Sequence, residues 1–168
     1  MAEEIFTAST ENLRDLKKQR KRICALVNRA IREKQDPDLI SLTKMYALLY
    51  SAYVETSFLK LIHTPKAFTE SEIIQIMAER NLEQKWLKCV DLAFNKLNTT
   101  NLGEVANKKQ TLHRLLQEYI IDPSQIRNKV AHGQWVYCLN NECTKVNHDT
   151  TALMANFCLL YTSDAADD

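Results

Sequence analysis

A chain of 168 residues is the length of a single domain. Its 45% hydrophobic content is enough for a real core, while two glycines and three prolines are too few for the tight turns of a β-sandwich. A formal net charge of +1 excludes a uniformly basic nucleic-acid coat and confines any phosphate-binding surface to a local patch.

No run of about 18 apolar residues occurs, which predicts no membrane span. The acidic start, Met1-Ala2-Glu3-Glu4, has no apolar signal core. Five cysteines, at 24, 89, 138, 143 and 158, form no paired framework and read as reduced thiols of a cytoplasmic protein. The last eleven residues, Cys158–Asp168, resemble the translation of a sequencing-library transposase adaptor read through in frame. On that reading the domain is residues 1–157, its last helix is cut short, and 158–168 is a non-native tail. Without the tail's three aspartates, 22 basic residues face 18 acidic ones, a formal charge of +4.

In chain order, Leu13, Leu16, Ile23, Val27 and Ala30 make one apolar stripe of a first helix running from Ser9/Thr10 to Lys34. Arg20 interrupts that stripe. From Arg14 to Lys34 nine Lys/Arg stand against Asp15 and Glu33, a local net of +7. Lys17, Lys18, Lys21 and Arg22 at its centre are candidate RNA-binding residues, because clustered cations release counterions from nucleic acid; a solvated helix face is the plainer alternative. Asp36 and Pro37 open a second helix to about His63 that is apolar over much of its circumference, through Leu39, Leu42, Met45, Tyr46, Leu49, Tyr53, Phe58 and Leu61. Glu55 on it needs a cation such as Arg127 or an edge in water.

Thr69-Glu70-Ser71-Glu72 is a capping box for a short third helix to Glu79. A fourth spans Leu82 to Leu97, with Leu82, Trp86, Val90, Ala93, Phe94 and Leu97 inward. A loop at Asn98–Gly103 leads to a fifth, Val105 to Ile121, with Leu112, Leu115, Leu116, Tyr119 and Ile120 on its apolar side. Asp122-Pro123 starts a sixth carrying Ile126 and Val130 inward, and Gly133 stops it. Trp135–Leu139 and Cys143–Val146 flank Asn140-Asn141-Glu142 and read as a small β-hairpin. Asp149 then caps a last helix through Leu153 and Phe157. The predicted fold is all-α, a helical bundle of about five to seven helices with a hairpin inserted after the sixth.

Chemistry concentrates in Arg127-Asn128-Lys129-Val130-Ala131-His132. Arginine stays protonated and offers a planar fork of donors for phosphate oxygens. Histidine titrates near neutrality and can give or take a proton. Together they suit metal-free RNA cleavage. The imidazole assists attack of the ribose 2′-hydroxyl or protonates the leaving 5′-oxygen, and the guanidinium stabilises charge on the phosphorane-like transition state. On an ideal helix, residues five apart diverge by roughly 140°. The pair therefore works only at a helix end or as halves contributed by two chains. The alternative is structural: Arg127 pairs with a carboxylate and His132 caps the helix. Cys138-x4-Cys143-x4-His148, with His132, offers four zinc donors, but the spacing misses the usual zinc-knuckle pattern, and no metal or cofactor is assigned.

Arg127-Asn128-x3-His132, near the C-terminal end of an all-helical chain, resembles the HEPN superfamily (higher eukaryotes and prokaryotes nucleotide-binding domains), which is marked by Arg-x4–6-His, commonly with a polar residue after the arginine. The resemblance spans roughly residues 10–157, but only these few residues are specific. It implies a helical bundle, a homodimer joined through the motif helices, and metal-independent endoribonuclease activity of the kind found in toxins and antiviral effectors. Arg127, His132 and Asn128 become the catalytic candidates, and Lys129 joins the RNA-binding ones. The runner-up it admits is a non-catalytic module that dimerises or binds an antitoxin, a nucleotidyltransferase or nucleic acid. The hairpin after the motif departs from the family pattern.

Overall fold

The computed structural model describes residues 2–97 and 101–163, the side chains of Ala2 and of residues 156–163 excepted. Among the described residues the fold is all-α, with no strand and no helix long and apolar enough to cross a membrane. The helices are α1 (Ala2–Arg32), α2 (Asp36–Ile62), α3 (Glu70–Met77), α4 (Leu82–Asn95), α5 (Leu102–Leu116), α6 (Asp122–Ala131) and α7 (His148–Ser163). Part of the expected Asn98–Gly103 loop, residues 98–100, lies outside the described residues, as do residues 164–168 of the adaptor-like tail. Residues 158–163 continue α7.

Local chemistry explains most boundaries. α1 begins at Ala2, not at Ser9/Thr10. The Thr7 and Thr10 hydroxyls bond back to the carbonyls of Glu3 and Phe6, at 2.9 and 2.8 Å, so they ride inside the helix and cap nothing. Glu3 and Glu4 in the first turn, and Arg29 and Arg32 in the last, suit the helix dipole. Thr69 and Glu72 form the expected capping box of α3. Asn81 and Asn101 cap α4 and α5 by accepting from the Gln84 and Glu104 amides, so α5 starts at Leu102, earlier than Val105.

The chain forms two compact units, Met1–Leu13 with Val54–Asp122, and Arg14–Tyr53 with Pro123–Asp168. The first is built on Phe58, Ile62, Ile76 and Cys89, with Trp86 tilted against Phe58 at 4.9 Å between ring centroids. Ala93, Leu97, Leu112, Leu115 and Tyr119, expected inward, are exposed. The second unit is built on Ala47, Ile126, Val130, Cys138 and Met154. Its Arg20, the break in the α1 stripe, is half-buried, with its guanidinium 5.9 Å from the Tyr53 ring centroid. The interruption is thus an inward cation on an aromatic wall of α2. On α2, Met45 and Leu61 are exposed, and Ala47, Ser51 and Val54 are buried instead.

Truncation at the buried Ile126 (Ile126→Ala) is expected to cost about 2–5 kcal/mol, because the surrounding side chains relax only partly into the cavity. The fall in the denaturant midpoint at unchanged slope measures it.

Candidate functional site

α6 does not start afresh at Asp122. A π turn, Gln117–Ile121, joins α5 to it, and the Asp122 amide donates five residues back to the Gln117 carbonyl. Pro123 explains the turn. A proline ring inside an α-helix collides with the carbonyl four residues earlier and supplies no N–H. Widening the preceding turn lets the buried Pro123 pass without breaking the helix. The Asp122 carboxylate is held by Gln117 Nε2 at 2.7 Å.

Pro123, Ile126 and Val130 form the buried face of α6. Arg127, beside them, is half-buried, and its Nε donates to Ser51 Oγ of α2 at 2.7 Å. Ser51 is buried one turn before Glu55, which is exposed. Asn128 and His132, four residues apart, occupy the exposed face. The two members of the predicted pair therefore leave α6 in different directions, as the roughly 140° offset requires.

α6 ends as expected, at Gly133 with φ of 78°. The Gly133 amide donates to the Val130 carbonyl and the Gln134 amide to the Lys129 carbonyl, the two bonds of a Schellman end. His132 is the last helical-side residue of that end, its amide still bonded to the Asn128 carbonyl at 3.1 Å.

The predicted hairpin is replaced by a side-chain-pinned loop holding one isolated antiparallel bridge, Leu139 to Val146. Two cross-strand backbone bonds flank it, from the Asn140 amide to the Lys145 carbonyl and from the Asn147 amide to the Cys138 carbonyl, at 2.9 and 2.7 Å, and side chains hold the rest. The Leu139 amide donates to Gln134 Oε1, the Leu139 carbonyl accepts from Lys129 Nζ, and the Cys138 amide donates to Thr151 Oγ1, at 2.7, 2.7 and 2.9 Å. Asn140 Oδ1 accepts from the Thr144 and Lys145 amides. Asn147, not Asp149, caps α7, with Oδ1 accepting from the Thr150 amide at 2.9 Å. Trp135 Nε1 reaches back to the Val130 carbonyl at 2.9 Å, and Lys44 Nζ stands 5.3 Å from the Trp135 ring centroid.

The end of α6 and this loop enclose an open groove of about 1140 Å³, lined by Asn128, Lys129, His132, Trp135, Tyr137 and Asn141 among others. Of the predicted site residues, the structure gathers Asn128, His132 and Lys129 here. Arg127 does not line the groove, and neither do Lys17, Lys18, Lys21 and Arg22, which are exposed on α1. Ser51, Gln134, Trp135 and Tyr137 were missed from sequence. Only Ser51 carried a signal: a small hydroxyl within an apolar helix is a place for a long polar side chain to end.

No family model, curated protein sequence or solved structure matches the chain.

The four zinc donors are not assembled. Cys138 is fully buried with its Sγ 3.8 Å from Met154 Sδ, while Cys143 is exposed. Among the described residues no group of three or more His, Cys, Asp or Glu side chains is placed to share an ion.

Burial raises the thiol pKa of Cys138, and that of Cys89 to about 11, so both are poor thiolates near neutrality. In native protein at pH 8, iodoacetamide is expected to label the exposed Cys143 while sparing Cys89 and Cys138, and all three in denaturant. Mass spectrometry reads the order; native labelling of Cys138 as fast as Cys143 would refute the closed loop. Ser51→Ala should cost about 1.5–3 kcal/mol in unfolding free energy, by removing the hydrogen bond that Ser51 Oγ accepts from the Arg127 guanidinium.

Proposed function

We propose that the protein is a metal-independent endoribonuclease of HEPN type, acting in the cytoplasm as a homodimer, in the manner of a toxin or antiviral effector. One observation carries the reading: His132 stands exposed at the end of α6, on an open groove with no carboxylate in its lining. An imidazole so placed can meet a polyanion without competing negative charge. The Arg127-Asn128-x3-His132 resemblance supports the same chemistry.

In this mechanism His132 transfers the proton of the 2′-hydroxyl or of the leaving 5′-oxygen. Arg127 stabilises charge on the pentacovalent phosphate. Asn128, one turn before His132 on the same face, orients the strand. Because Arg127 and His132 diverge within one chain, each site takes its arginine and histidine from different chains across a two-fold axis. Lys17, Lys18, Lys21 and Arg22 guide RNA by general electrostatics.

The second reading is a non-catalytic module that dimerises or binds a partner nucleotidyltransferase, antitoxin or nucleic acid. The bond from Arg127 to the buried Ser51 favours it, since it gives the arginine a structural task in fastening α6 to α2.

Purified protein incubated with RNA and EDTA separates the two. The catalytic reading expects cleavage with 2′,3′-cyclic phosphate ends, resistance of DNA, and a loss of roughly 10²–10⁴-fold in rate for His132→Ala. Arg127→Ala should fall comparably, and an unfolding curve shows how much of its loss is stability. Intact RNA, or variants that cut like the wild type, would leave the binding module.

A further inference from the structure

Catalysis by Arg127 and His132 leaves the aromatic side of the groove without a task. Tyr137 is 63% exposed and Val136 is 68% exposed, yet the backbone on either side is clamped. Before Tyr137, Trp135 is tied to α6 through its Nε1. After it, Cys138 is fully buried and its amide is tied to α7 through Thr151. A ring held out to water on a fixed backbone is presented, not stranded on a loose loop. Among the described residues Tyr137 has no hydrogen-bond or ring partner.

The remaining lining narrows what it is presented to. Lys129 and His132 line the groove with several side-chain amides and no carboxylate. Two of those amides are spent within the loop, Gln134 on the Leu139 amide and Asn140 on Thr144 and Lys145, while Lys129 gives one N–H to the Leu139 carbonyl and keeps two for a ligand. Gln125, Asn128 and Asn141 are exposed. An apolar ligand matches the ring but not the amides, and an acidic peptide matches the lysine but not the ring. An unpaired nucleotide matches all three: a π-face for the ring, a donor–acceptor edge for the amides, and a phosphate for the cation.

We propose that Tyr137, with the pinned Trp135 beside it, is a base-stacking subsite, and that the strand bound here is single-stranded RNA. Duplex bases are paired and stacked and offer no free face to a side chain. This rests on the ribonuclease reading for the ribose and for the reacting phosphate near His132. The base stacks on Tyr137, the exposed amides of Asn128 and Asn141 meet its edge, and the adjoining phosphate lies toward Lys129 and His132.

The test is equilibrium binding of a fluorescent 2′-O-methyl oligoribonucleotide to the full chain. Such a strand lacks the nucleophilic hydroxyl and stays uncut, so binding is read apart from catalysis. The single strand should bind more tightly than the same strand annealed to its complement. Tyr137→Ala should weaken binding about fivefold or more, while Tyr137→Phe, which keeps the ring, holds wild-type affinity. Tyr137 is exposed, and matched unfolding curves verify that the variants fold. Duplex bound as tightly as single strand, no binding at all, or unchanged affinity in Tyr137→Ala would each overturn the subsite. If unmodified RNA stays intact while Tyr137-dependent binding is present, catalysis falls and the subsite stands. If RNA is cut but Tyr137→Ala binds normally, the subsite alone falls.

Discussion

The left-handed backbone at Gly133 is the constraint on which the groove depends. A helix ending in water leaves its last carbonyls unsatisfied. Here the Gly133 and Gln134 amides turn back to the Val130 and Lys129 carbonyls, which closes the end and reverses the chain. That reversal leaves His132 on the outside of the turn. It also sends Gln134 and Trp135 back along α6, where Trp135 caps a carbonyl through its indole and Gln134 fastens Leu139. A Cβ at position 133 would meet no atom within 4 Å beyond its chain neighbours, so the glycine is there for its dihedral angle and not for space.

The loop beyond it holds its shape by side chains more than by a ladder. Thr151 and Asn140 take the Cys138 and Lys145 amides, which a hairpin would have paired across strands, while Gln134 and Lys129 hold the Leu139 amide and carbonyl, which face away from Val146. This satisfies the buried polar backbone around Cys138 without a sheet. It also leaves Val136 and Tyr137 exposed, since no partner strand covers them. The same economy appears at Pro123, where one widened turn replaces a helix break and keeps α6 continuous with the helix before it.

Much of this was legible in the sequence. Periodicity and the scarcity of glycine announced helices, and Thr69 with Glu72 marked a start, because these signals act within one or two turns. The stop at Gly133 was equally local. The errors share a cause. Ser9, Thr10 and Asp122-Pro123 carry start signals, but a hydroxyl that bonds back to its own helix, or a π turn that admits a proline, cancels them. Trp135–Val146 alternates like a hairpin, and no short-range rule says that Lys129 and Thr151 will claim its backbone groups. Leu112 and Tyr119 fit an apolar stripe yet are exposed, since periodicity states which residues share a face and not whether a face is covered.

By itself the sequence determined the all-α class, the end of α6 and the residue types present near it, because helix propensity, capping and glycine conformation are properties of neighbouring residues. Tertiary structure alone decided where those residues point. Arg127 turns toward a serine seventy-six positions away, while His132 opens onto a groove whose aromatic side is set by the return of the chain. Contacts between distant segments leave no periodic trace in a single chain, so the division of an arginine and a histidine between two surfaces could be read only from the folded protein.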